Sequence, residues 1–284
     1  MQIKDDQQQP FGTALTGPPP TFVGREDEAH RLQEAIVKRE CRVICGPTGI
    51  GKTAFVLKVI RDLPAELAGR CLYLGAFKEL QDLLRQLIYK LYELKDPTLG
   101  QQIRSEGVNS LSFDAWLKAL PSSRLKGTLF KNMEKGDYRV FLDHLPPLTR
   151  AVAKIIKELH WMRNTPVYLL IHDELAQHLY QFYNFFYWGD RERLTLHPLP
   201  FEAAAELLET CIASFGLSQL AVSGFREEVL ELSKQIPGAI VKMCSLAADP
   251  RYQYEKRIKI KSVYIDYLMS GHNLHFPITK RSGA

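Results

Sequence analysis

The chain has little that would tie it to a membrane, a secretory route or a metal cage. None of its 284 residues fall in a run of about 18 apolar side chains, so no transmembrane helix is expected. Residues 1–9 (MQIKDDQQQ) are polar and lack the apolar stretch of a secretory signal. Cysteine is sparse: Cys41, Cys45, Cys71, Cys211 and Cys244 are odd in number and form no CxxC pair. That pattern argues against a disulfide framework or a zinc site, and for free thiols in a reducing cytoplasm. A large excess of one charge is also missing, since the net charge is +5. With 45% hydrophobic and 24% charged residues, the composition is that of a globular protein. The length suffices for one α/β domain and a smaller one.

The distribution of charge says more than its sum. From residue 251 onward stand Arg251, Lys256, Arg257, Lys259, Lys261, Lys280 and Arg281, against only Glu255 and Asp266. A basic end of this kind suits nucleic acid or an acidic protein surface, and it equally suits a solvated tail.

Hydrophobic periodicity divides the chain. Residues 1–21 are Gln- and Pro-rich and read as a flexible leader. A helix is expected over 25–39, then the β-branched run Cys41-Arg42-Val43-Ile44-Cys45 as a buried strand, then a helix over 52–63. Further strands are expected at 70–74, 138–142, 167–171 and 193–196, with amphipathic helices at 79–94 and 148–161. Alternating strands and helices predict a mainly parallel sheet of five strands, flanked by helices. After Pro200 the pattern becomes helical only (201–212, 225–235 and 239–247), which predicts a small helical lid. The expected division is leader 1–21, α/β domain 22–199, lid 200–250 and basic segment 251–284.

The strongest motif is Gly46-Pro47-Thr48-Gly49-Ile50-Gly51-Lys52-Thr53, a complete P-loop between a predicted strand and a predicted helix. Its glycines let backbone N–H groups turn inward around phosphate, and the following helix, through Ala54, presents its positive end to the same charge. Lys52 is expected to reach the β- and γ-phosphates of ATP or ADP, and the Thr53 hydroxyl to ligate Mg²⁺. Asp143, at the end of Tyr138-Arg139-Val140-Phe141-Leu142, is the Walker B candidate for the Mg²⁺ shell. Its strand is expected beside the P-loop strand.

Phe22-Val23-Gly24-Arg25-Glu26-Asp27-Glu28, ahead of this loop, resembles the adenine-side box of origin-recognition-type AAA+ ATPases and of STAND ATPases. The resemblance implies a P-loop NTPase fold with a helical lid, with Phe22, Val23 and Gly24 lining the base and Arg25 bracing the box or approaching the nucleotide. Residues 193–208 resemble the strand-to-lid junction of those families. Ile236-Pro237-Gly238-Ala239-Ile240 is similar to their lid motif, which implies that Pro237 covers the adenine.

The chain departs from that pattern in several places. Where active members carry a second acid after the Walker B Asp, His144 stands here; an imidazole is a possible base but a weaker one in that place. His172 occupies the sensor position at the end of the fourth strand, either reading the γ-phosphate or serving the structure, with Glu174 two residues on. Gly238 replaces the usual lid arginine, with Lys242 one turn on as a substitute. Arg191 and Arg193 are candidates for an arginine finger acting in trans, or exposed partners of Asp190 and Glu192. The aromatic run 180–188 is expected in a core or a subunit interface.

Two functions compete. One is an AAA+-type ATPase that assembles on DNA; the other is a STAND-like nucleotide-held switch that engages a protein partner with weak or no hydrolysis. A metabolic kinase is disfavoured by the front box and the lid. ATP binding, Mg²⁺, self-assembly or a protein partner and no membrane are expected under both leading readings.

Overall fold

The computed structural model describes residues 22–145, 149–162, 164–172 and 192–270. It divides into two compact units. One comprises 26–46 and 52–196; the other comprises the chain up to Arg25, the loop tip 47–51 and everything from His197 onward.

The first unit is built on strands β1 (Arg42–Gly46), β2 (Cys71–Leu74), β3 (Arg139–Leu142), β4 (Val167–His172) and β5 (Arg193–Thr195). All pairings are parallel, in the order β2-β3-β4-β1-β5. Every residue of β3 is buried, as are Val167–Ile171 of β4, which is why these strands read as unbroken apolar runs rather than alternating ones. Phe141 and Tyr168 stack at 4.3 Å between ring centres on one of their faces.

This order corrects one expectation. The Asp143 strand does not lie beside the P-loop strand, because β4 runs between them, with Gly46 opposite His172. A right-handed crossover can place a parallel strand at either free edge or leave a gap for a later one, so chain order alone does not decide adjacency.

Helices α1 (Glu26–Lys38), α2 (Lys52–Asp62), α3 (Ala65–Ala68), α4 (Leu80–Glu93), α5 (Pro97–Ser105), α6 (Phe113–Ala119), α7 (Ser122–Lys135) and α8 (Arg150–His160) also belong to this unit. Helix α4 buries Leu83, Leu84, Leu87, Ile88 and Leu91 on one face. At roughly 1.5–3 kcal/mol for each buried aliphatic side chain, this packing outweighs the exposed Lys90–Glu93 ion pair, which contributes about 0.3–0.5 kcal/mol. Helix α5 starts where Pro97 has no N–H to satisfy and the Asp96 carboxylate accepts the Leu99 N–H at 2.7 Å. Thr149 caps α8, whose Val152, Ala153, Ile155, Ile156 and Leu159 are buried.

Among its described residues, the regular structure of the second unit is helical apart from one hairpin. Helices α9 (Phe201–Ser214), α10 (Ser223–Ser233) and α11 (Pro237–Ala247) fall where the apolar spacing after Pro200 predicts them. They bury Leu207, Leu208, Cys211, Val229, Ile240, Met243 and Cys244. Beyond them the chain forms a two-stranded antiparallel hairpin, β6 (Gln253–Tyr254) and β7 (Arg257–Ile258), and helix α12 (Ile260–Met269). Ile260, Val263 and Tyr267 anchor α12 in the interior.

Candidate nucleotide-binding site

The polar groups of the sheet unit gather at the C-terminal ends of its strands, where parallel α/β sheets bind ligands. Helix α2 begins at Lys52, directly after the glycine loop. The Lys52 amine is buried, donates to the Gly46 carbonyl at 2.7 Å and lies 3.3 Å from His172 Nδ1. With the ammonium donating, Nδ1 is the unprotonated ring nitrogen. The register of β1 against β4 makes this meeting possible, since Gly46 and His172 end their strands side by side.

The Thr53 hydroxyl donates to Oδ2 of Asp143, so the two expected Mg²⁺ ligands touch. Asp143 is itself buried, and its carboxylate is held by two further donors. The His144 N–H reaches Oδ1 at 2.7 Å, and the Tyr73 hydroxyl reaches Oδ2 at 2.8 Å. Burial, reinforced by the neighbouring Asp143 charge, pushes the Tyr73 phenol far above its ordinary range, so it stays a donor. A carboxylate has about four lone-pair positions, which leaves room for a metal-bound water besides these three donors. A hydroxyl and one carboxylate are the hard oxygen donors that Mg²⁺ takes alongside phosphate and water. The residues therefore fit the ion.

Tyr73 was not legible as a site residue. It lies in β2 opposite Phe141 of β3, and only this pairing brings it near Asp143. His144 turns the chain at φ 46°, and its half-exposed ring holds Nε2 3.8 Å from Asp143 Oδ2. Arg193 begins β5 opposite Val43, three residues before Gly46, so within this unit it lies toward the other end of the sheet from the glycine loop. Arg191, Glu174 and the aromatic run 180–188 lie outside the described residues.

The other candidate residues, Phe22 to Arg25, the loop tip and Pro237, belong to the helical unit. Gly49 and Gly51 in the loop tip have φ of 79° and 91°, a region that side-chain-bearing residues rarely enter. Val23 is buried, and Arg25, also buried, donates to the carbonyls of Ile50 at 3.2 Å and His197 at 2.8 Å. The front box and the loop tip are thus tied by one guanidinium. Pro47 and Thr48 form the outer side of the tip, with Thr48 exposed, while Ile50 is fully buried.

Pro237 is the first residue of α11, where its fixed φ and missing N–H cost nothing. Next to it, the Gly238 N–H donates to the Gly49 carbonyl at 2.8 Å. A Cβ on Gly238 would stand 2.8 Å from that oxygen and 2.9 Å from the Gly49 Cα, so no side chain fits there. The missing lid arginine thus has a structural counterpart: its place is taken by direct backbone contact between α11 and the loop tip.

No protein-family model and no curated protein matches the chain. Solved structures do. A Walker-type ATPase of Pyrococcus abyssi superposes with a TM-score of 0.56 at 15% identity, over 88% of this chain and 72% of that one. The ORC1 protein of Aeropyrum pernix, solved in complex with DNA, gives 0.60 at 14% identity over 87% and 66%. Cdc6p of Pyrobaculum aerophilum gives 0.58 at 11% over 81% and 64%, so the chain spans about two thirds of each of these last two. At these identities the likeness is one of fold, and the fold is that of the P-loop ATPases of AAA+ type.

Proposed function

We propose that the protein binds ATP with Mg²⁺ and uses its hydrolysis, or its binding alone, to change conformation or assemble on DNA. The observation that carries the nucleotide part is the Lys52, Thr53 and Asp143 constellation after a P-loop whose glycines hold the left-handed backbone it requires. In this reading Lys52 leaves the Gly46 carbonyl for the β- and γ-phosphates, and Thr53 and Asp143 hold the ion, which spreads the charge of the transferring phosphoryl group when bound. Tyr73 and the His144 N–H orient the Asp143 carboxylate. Phe22, Val23 and Gly24 line the base and Pro237 covers it. His172, within reach of Lys52, reports on the γ-phosphate end. The DNA part is supported by the fold shared with an ORC1 protein solved on DNA and by the basic residues after position 251.

A second reading is favoured by His144, which stands where an acid would orient the attacking water: a nucleotide-held switch that turns over slowly and engages a protein partner. Phosphate release from ATP, with and without duplex DNA and with Lys52→Ala as the blank, separates the two. Turnover raised by DNA supports the first. Tight ATP binding without turnover in either condition supports the switch. ATP binding that survives Lys52→Ala unchanged overturns both.

A further inference from the structure

The basic residues after position 251 form more than a charged stretch of chain. Tyr254, Glu255, Lys256 and Arg257 make the tip of the β6–β7 hairpin, and Lys259 and Lys261 follow at the start of α12. The run Arg257-Ile258-Lys259-Ile260-Lys261 alternates strictly. Its three cations are exposed, Ile258 is half-buried and Ile260 is buried. Lys256, at the turn, is exposed as well. Four exposed cations thus stand within six residues, with Ile260 packed inside among them.

Three features distinguish this cluster from an ordinary solvated surface. First, its cations have no carboxylate partner among the described residues, whereas nearby Arg251 pairs with Asp249 and Arg226 with Glu209. Of the two acids in the segment, Asp266 accepts the Tyr252 hydroxyl and Glu255 sits at the turn with a φ of 46°. Second, the hairpin is held firmly. The Ala221 N–H donates to the Lys256 carbonyl at 2.6 Å, the Lys259 N–H to the Tyr252 carbonyl at 2.7 Å, and the Gln253 side chain to Ala247 and Ala248. Third, Lys259 and Lys261 stand at the positive end of α12 with no acid in its first turn, the arrangement that helix stability disfavours. Folding does not account for these charges.

We propose that this hairpin and the start of α12 form a binding surface for the phosphate backbone of duplex DNA. Lys256, Arg257, Lys259 and Lys261, all exposed within six residues, are close enough together to meet phosphates of one duplex segment. Tyr254, 60% exposed and braced by the Lys259 ammonium 5.7 Å from its ring centre, lies against the sugar edge. The contacts carry no base sequence, so binding is sequence-independent and steeply salt-dependent. This surface rests on the DNA part of the proposed function and gives it a location.

The test is fluorescence anisotropy of a labelled duplex over a salt series with ATP present. It compares the native chain, the variant Lys256→Ala/Arg257→Ala/Lys259→Ala/Lys261→Ala, and a control of equal charge change on the sheet unit, Arg104→Ala/Lys118→Ala/Lys131→Ala/Lys135→Ala. The hairpin variant is expected to bind more weakly, with the slope of log affinity against log salt shallower by about 3–4, while the control keeps the native slope. If the quadruple variant unfolds, Lys256→Gln and Lys259→Gln are read singly, each expected to lower the slope by about 1. A hairpin variant that binds as the native chain does, or a control that loses as much, overturns the surface while leaving DNA binding intact. Tighter binding to single strands than to duplex overturns the choice of partner. A native chain that binds no duplex overturns the surface together with the DNA reading, and leaves the ATP reading to phosphate release and to Lys52→Ala.

Discussion

Two sets of cations in this protein behave in opposite ways. Lys52, Arg25 and Arg139 are buried, and each is held by named acceptors: the Gly46 carbonyl, the Ile50 and His197 carbonyls, and Asp137. Lys256, Arg257, Lys259 and Lys261 are exposed and close together in the chain. The chemical groups are the same, but their surroundings are not. A buried charge without acceptors costs several kcal/mol, so burial forces fixed, geometry-specific partners. An exposed charge costs little alone, and a row of like charges gains only when an anion arrives. The contrast separates cations fixed singly by the fold from a cluster suited to a long polyanion.

Substitutions sharpen that contrast in order of size. Lys52→Ala is expected to have the largest effect, a loss of about 3 kcal/mol or roughly a hundredfold in ATP affinity, read by titration of a fluorescent ATP analogue. Retained affinity would break the assignment of the loop. Gly238→Ala follows. Its Cβ would meet the Gly49 carbonyl at 2.8 Å, so overpacking of about 1–3 kcal/mol is expected. It should appear as weaker ATP binding out of proportion to any fall in melting temperature without nucleotide. If melting falls and affinity does not, the contact serves only the fold. Tyr73→Phe removes one donor from Asp143, worth about 1 kcal/mol, and should raise the Mg²⁺ concentration needed for half-maximal nucleotide binding several-fold, with excess Mg²⁺ restoring it. An unchanged Mg²⁺ dependence would leave Tyr73 a packing residue. Arg193→Ala is expected to leave ATP affinity of the single chain unchanged, because Arg193 lies opposite Val43 rather than beside the loop. A marked loss would place it closer to the phosphates than the strand register does.

The site was partly legible before folding. Gly46 to Thr53 carry their chemistry in local spacing: a strand must end, the backbone must turn through positive φ, and a helix must begin, all within eight residues. Asp143 was legible for a similar reason, since a carboxylate ending an apolar strand has few other uses. Tyr73 was not, because an aromatic residue in an alternating strand has the same sequence signature whether it packs or donates. Gly238 could be read as the absence of an arginine, but not as a residue in backbone contact with Gly49. The hairpin was hidden by its composition, because RIKIK reads as a charged segment until the isoleucines are seen packed and the lysines outside.

The sequence by itself determined the strands of the sheet, the P-loop motif, the helical region after Pro200 and the excess of positive charge after position 251. Each of these follows from periodicity or chemistry within a few turns of chain. Only the tertiary structure decided that β4 lies between β1 and β3, that Thr53 and Tyr73 both donate to the Asp143 carboxylate, and that the four cations of the hairpin stay exposed while Ile260 is buried. Those facts depend on which strand fills a gap and which face of a short hairpin is buried. Such choices are settled by packing between segments far apart in sequence, where local patterns carry no information.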